Sequence, residues 1–137
     1  MLLFGWVAAL AGGALLDVAL KLIFRRPRPT WDMPFLAEEG WSFPSGHAMG
    51  SLVAYGMLAY LLVLHPKSKG ARLAILAITA LLVLAIGFTR LYLGVHYFSD
   101  VIAGYAAGTV WLAVCISGLE VLRRKRELAV PTGSVVV

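Results

Sequence analysis

Four apolar runs, divided by short polar stretches, leave this chain few ways to fold. The runs are Leu2 to Leu20, His47 to Leu64, Ala71 to Phe88 and Val101 to Leu122. Each is close to the roughly 20 mostly apolar residues that a helix needs to cross the hydrocarbon core of a bilayer. No water-soluble core of this size can hide them: of 137 residues, 61% are hydrophobic and only 14% charged, where a soluble domain carries about 25% charged. The expected fold is all-α, a multi-pass membrane helical bundle with four transmembrane helices. Pro66 and Gly70 mark a tight hairpin between the second and third runs. One membrane-embedded domain, residues 1–127, and a short cytoplasmic tail, residues 128–137, account for the length.

The net charge of +5 does not point to nucleic acid, because the cations sit in short clusters between apolar runs, as in membrane loops. The lone Cys115 lies inside an apolar run and supports neither a disulfide framework nor a thiolate metal site. The first run lacks the basic start of a signal peptide, so it reads as a retained span. Lys67, Lys69 and Arg72 fill one hairpin, and Arg123, Arg124, Lys125 and Arg126 follow the last run. The positive-inside tendency places both clusters, and both termini, in the cytoplasm. The stretches Lys21 to Ser45 and Thr89 to Asp100 then share the opposite face. That face still carries Lys21, Arg25, Arg26, Arg28 and Arg90. Basic residues on the wrong side need a reason, and a bound anion supplies one.

Three polar clusters close these runs, and ionisable groups at membrane depth usually mark function. In Pro44-Ser45-Gly46-His47, Ser45 is placed as an N-cap, and the helix start offers free N–H groups to an anion. The plainer alternative is an ordinary capped helix with an interfacial histidine. His96 and Asp100 stand four apart, on one face if the fourth helix begins near them. A carboxylate on one ring nitrogen leaves the other free to attack. Alternatively, Asp100 only complements the helix dipole. Lys21 and Arg28 form the third cluster; Asp17 pairs with Lys21 at helical spacing, and Arg25 and Arg26 read as headgroup anchors. Gly46 with Gly50, and Gly104 with Gly108, have the spacing of close helix contacts. Lys21, Arg28 and Arg90 on that face, with no clustered carboxylates, favour an anion over a metal ion, so neither metal nor cofactor is expected.

Together the clusters resemble the type 2 phosphatidic acid phosphatase family, which also embraces bacterial acid phosphatases and vanadium haloperoxidases. Lys21 with Arg28-Pro29 matches its first motif and Pro44 to His47 its second; Thr89-Arg90, His96 and Asp100 match the third, with threonine in place of serine. The resemblance implies an integral membrane lipid phosphatase of the plasma membrane, its site on the extracytoplasmic face. His96 would form a phosphohistidine, Asp100 would orient it, and His47 would protonate the leaving group. Lys21, Arg28, Ser45, Gly46 and Arg90 would hold phosphate oxygens. Polyprenyl diphosphate, phosphatidate and phosphatidylglycerophosphate are all candidate substrates, and a homo-oligomer stays open. A lipid phosphotransferase is the near alternative, and a non-catalytic anion-binding or transport protein the distant one. Membrane members look like six-helix proteins, so a missing pair would precede Met1. The chain would then be a fragment, a misplaced start or a reduced member that leans on a partner.

Overall fold

A computed structural model describes residues 2–30, 39–65 and 68–129. Among them there are four helices and no strands: α1 (Leu2–Phe24), α2 (Gly46–Val63), α3 (Lys69–Tyr92) and α4 (Phe98–Ala129). All four are long and apolar enough to cross a membrane. They overrun the apolar runs at several ends, because backbone geometry rather than hydropathy stops a helix. After α1, Arg25 takes a left-handed φ of 44° and donates its N–H to Lys21 O at 3.0 Å, and Pro27 follows. After α3, Gly94 (φ 67°) donates to Leu91 O at 2.9 Å, and Val95 donates to Arg90 O at 3.3 Å. That pair of bonds is a Schellman turn, whose left-handed position suits a residue without Cβ. Nothing comparable interrupts α4, so Leu128 and Ala129, expected in the tail, are still helical. Residues 130–137, together with Asp32, Glu38, Pro66 and Lys67, lie outside the described residues.

The central element is α2: 33% of its span is buried, against 11% for α1 and α3. It packs most extensively on α4, then on α3 and α1. Val53 and Met57 of α2 form the core with Ala9 of α1 and Leu119 of α4. Large apolar side chains such as Leu15, Leu81, Phe88 and Val110 point outward, which suits a lipid solvent and not water. Two indoles tie helices through backbone carbonyls, Trp6 Nε1 to Ala54 O at 3.0 Å and Trp111 Nε1 to Ala9 O at 2.9 Å. Polar contacts within membranes average about 0.6 kcal/mol each, so close packing matters more. At the end where α2 finishes, Tyr60 donates to Glu120 Oε1, and Arg123 Nη1 reaches the same oxygen at 3.1 Å.

Of the two glycine pairs, Gly104 with Gly108 makes the helix contact that its spacing suggests. A Cβ on Gly104 would stand 2.6 Å from Ser45 O and 3.2 Å from Ala48 Cβ; one on Gly108 would stand 3.1 Å from Met49 O. In the other pair, Gly50 has nothing within 4 Å, and Gly46 faces the Asp17 and Lys21 side chains. Gly104→Ala is therefore expected to force α4 off α2, at the roughly 1–3 kcal/mol cost of overpacking. Thermal unfolding in detergent checks this: Gly104→Ala should lower the midpoint and Gly50→Ala should not. Equal midpoints for the two variants would deny the close approach at Gly104.

Candidate active site

The ends of α1 and α3 and the starts of α2 and α4 gather at one end of the bundle. Backbone bonds join their flanking segments. Ser42, wholly buried, donates its N–H to Arg26 O at 2.9 Å and its hydroxyl to Pro27 O at 3.0 Å. Phe24 and Phe43 meet edge to face with centroids 4.7 Å apart. Ser45 N–H donates to Asp100 O at 2.9 Å, which sets the start of α2 against the start of α4. Two helix N-termini with their partial positive charge therefore adjoin one another.

Asp100 is fully buried and His96 nearly so. His96 Nδ1 stands 3.5 Å from Asp100 Oδ2. The two meet across the turn into α4 and not along one helical face, because α4 begins at Phe98, after His96. Asp100 Oδ2 also accepts the Tyr97 N–H at 2.9 Å, as the third residue of a helix does in a capping box. The carboxylate that caps α4 is thus also the one that faces the imidazole, two placements that the sequence sets as alternatives. The other ring nitrogen, Nε2, lies 3.4 Å from Arg28 Nη1. Arg28 itself is held by Val95 O at 3.0 Å from Nη1 and by Gly40 O at 3.3 Å from Nε. A guanidinium is thus fixed beside the nitrogen that is turned away from the carboxylate.

The start of α2 forms the second part of the site. Ser45 occupies the N-cap position in extended conformation, yet its side chain makes no capping bond, contrary to the expectation from its position. Its buried Oγ has no hydrogen-bond partner among the described residues. Burying an unsatisfied hydroxyl is costly, and an anion at the helix start would satisfy it. Lys21 is paired with Asp17 at 2.7 Å, the helical ion pair that the spacing suggests. Both side chains lie against Gly46, where a Cβ would be 2.9 Å from Lys21 Nζ. A side chain at position 46 would displace the ends of the Asp17–Lys21 pair from the start of α2.

The structure therefore brings together Lys21, Ser45 and Gly46 on one side, and Arg28, His96 and Asp100 on the other, joined through the Ser45–Asp100 bond. His47 is exposed in the first turn of α2, next to Gly46. Arg90 is partly buried in the last turn of α3, with its Nε 3.3 Å from Thr89 Oγ1. Sequence reasoning missed one participant. Arg26, read as a headgroup anchor, donates from Nη1 to Asp100 Oδ1 at 2.8 Å and to Ser99 Oγ at 2.7 Å. A buried carboxylate needs such a cation, and that need was the available signal. Among the described residues, no three His, Cys, Asp or Glu side chains gather as a metal-ligand set.

The chain as a whole is similar to known proteins. A family model described as the PAP2 superfamily matches residues 2–124. Phosphatidylglycerophosphatase B of Bacillus subtilis (strain 168) is 33% identical over 114 residues, covering 82% of this chain and 56% of that protein. The crystal structure of a transmembrane PAP2-type phosphatidylglycerolphosphate phosphatase from Bacillus subtilis superposes with a TM-score of 0.77 at 31% identity, covering 84% of this chain and 57% of that one. The crystal structure of Aquifex aeolicus LpxE gives a TM-score of 0.65 at 27% identity, covering 82% of this chain and 66% of that one. The chain thus spans little more than half the length of the Bacillus relatives it matches.

Proposed function

The chain belongs to the PAP2 superfamily, and from that membership we propose that it is an integral membrane phosphatase acting on a phosphate or diphosphate monoester of a lipid. The observation that carries the reading is His96, with Nδ1 facing a buried carboxylate at 3.5 Å and Nε2 facing Arg28 at 3.4 Å. Such an imidazole has one nitrogen oriented and the other presented to whatever anion the arginine holds. The Nε2 lone pair forms a bond to phosphorus as the bond from phosphorus to the leaving oxygen breaks. His47, exposed beside the start of α2, gives that oxygen a proton. Water then attacks the phosphohistidine, His47 takes its proton, the phosphorus–nitrogen bond breaks, and orthophosphate leaves. Lys21, Arg28, Arg90, the Ser45 hydroxyl and the Gly46 amide hold the phosphoryl oxygens while charge shifts among them.

Phosphatidylglycerophosphate is the first substrate to test, because the Bacillus relatives carry that activity in their names; phosphatidate and polyprenyl diphosphate follow. The site is assigned to the extracytoplasmic face of the plasma membrane, supported by the basic clusters at Lys69, Arg72 and Arg123 to Arg126, on the far ends of α3 and α4. Residues 1–127 form the phosphatase domain in this reading. Phosphate release from the three lipids in detergent is the test, and no release from any of them overturns it. Activity is expected to persist in excess chelator, because cations rather than clustered carboxylates surround the phosphate, and vanadate should inhibit. Loss on chelation that a divalent ion restores would instead assign a metal to the site. Transfer of the phosphoryl group to an added alcohol, without release, would favour the phosphotransferase.

A further inference from the structure

We infer that Arg26 is a positioning residue that sets both the orientation and the protonation of the nucleophilic histidine. The inference rests on the reading of His96 as nucleophile. Arg26 and Arg28 flank Pro27, and this one short segment supplies an arginine to each member of the pair. Arg28 Nη1 stands 3.4 Å from His96 Nε2, and Arg26 Nη1 stands 2.8 Å from Asp100 Oδ1. The two carboxylate oxygens of Asp100 thus have separate partners. Oδ2 faces His96 and accepts the Tyr97 N–H at 2.9 Å, while Oδ1 is taken by Arg26. A carboxylate held at one oxygen only can pivot and carry Oδ2 away from the imidazole; one held at both cannot. Arg26 is itself fixed, by Ser99 Oγ at 2.7 Å and by the Tyr97 ring, whose centroid lies 4.1 Å from its guanidinium carbon. Stacking on an aromatic face is a habit of arginine more than of lysine.

The second consequence is electrostatic. A buried carboxylate beside an imidazole favours the imidazolium, which has no lone pair to offer phosphorus. The Arg26 charge on the far oxygen opposes that pull, together with the Arg28 guanidinium beside Nε2. Asp100 of α4 and Arg28 of the Pro27 segment face His96 directly. Among the described residues, the Lys21–Asp17 pair of α1, His47 of α2 and Arg90 of α3, with Arg25, Glu39 and Tyr97 of the flanking segments, also bring charged or titratable groups to this end. Removing Arg26 takes away a cation, so His96 protonates more readily and the neutral form requires a higher pH.

Arg26→Gln and Arg26→Lys in the full chain, assayed in detergent on a lipid phosphate, test this. For Arg26→Gln we expect kcat to fall about 10²-fold, the scale of a misplaced reacting group. KM and vanadate inhibition should stay near wild type, and the acid limb of kcat/KM should move to higher pH. Arg26→Lys, which keeps the charge and loses the fork, should restore the acid limb and only part of kcat. A raised KM with unchanged kcat and pH profile would return Arg26 to headgroup anchoring and overturn the inference, as would wild-type kinetics. If Arg26→Gln does not fold, Tyr97→Leu carries the test. It removes the ring under the guanidinium and keeps the backbone N–H. A smaller shift of the same sign supports the inference, and a wild-type profile overturns it. An active His96→Ala would remove the underlying reading and this inference with it. An inactive His96→Ala beside a wild-type Arg26→Gln would overturn the role of Arg26 alone.

Discussion

His96→Ala is expected to abolish phosphoenzyme formation and to lower turnover by about 10⁶-fold, the scale on which loss of a covalent nucleophile acts. His47→Ala should cost less, about 10²–10⁴-fold, as befits a proton donor. The asymmetry follows from the surroundings of the two rings. His96 is buried between Asp100 and Arg28, with Nδ1 toward the carboxylate and Nε2 toward the guanidinium, as the proposed nucleophile requires. His47 is exposed in the first turn of α2, as suits a group that exchanges protons with a departing alcohol and with water. A substrate whose leaving group needs no protonation separates the two roles. With it the His47 variant should regain turnover, and the His96 variant should stay inactive. Equal rescue of both variants would exchange or dissolve the assignment.

Much of the helical arrangement is legible in the chain, because the solvent that the four runs require permits little else: a backbone in hydrocarbon must satisfy its own hydrogen bonds. Helix ends are less legible. Arg25 ends α1 in a left-handed conformation that favours glycine or asparagine, and no residue preference announces it. Gly94 is the opposite case, a glycine whose positive φ closes α3 one residue before the buried Val95–His96 pair. The polar clusters were legible as residue types at fixed spacings. Their partners were not, since Arg26 and Asp100 are 74 residues apart and meet only once α1 and α4 are packed on α2. Ser45 shows how a local rule is overridden. It occupies the N-cap position, but its hydroxyl makes no capping bond and is buried without a partner among the described residues.

Arg28→Lys should lower kcat by about 10²–10³-fold, the cost of removing one donor from a preorganised oxyanion site. The substitution keeps the charge, so the loss measures geometry. The planar fork of Arg28 meets Gly40 O at 3.3 Å from Nε, Glu39 O at 3.5 Å from Nη2, Val95 O at 3.0 Å from Nη1, and His96 Nε2 at 3.4 Å from the same nitrogen. The backbone contacts hold the guanidinium in the plane from which, in the proposed mechanism, it would meet a phosphoryl group beside Nε2. A lysine ammonium is a mobile point charge and cannot reach these carbonyls and a phosphate in fixed directions. Because Arg28 also bridges the segments on either side of the site, thermal unfolding has to be measured alongside turnover. A large fall in kcat with a small fall in midpoint supports a direct contact with the reacting phosphate. Unchanged kcat and vanadate inhibition, with a lowered midpoint, would make Arg28 a strut between the Gly40 and Val95 segments and leave the phosphate to Lys21, Arg90 and the start of α2.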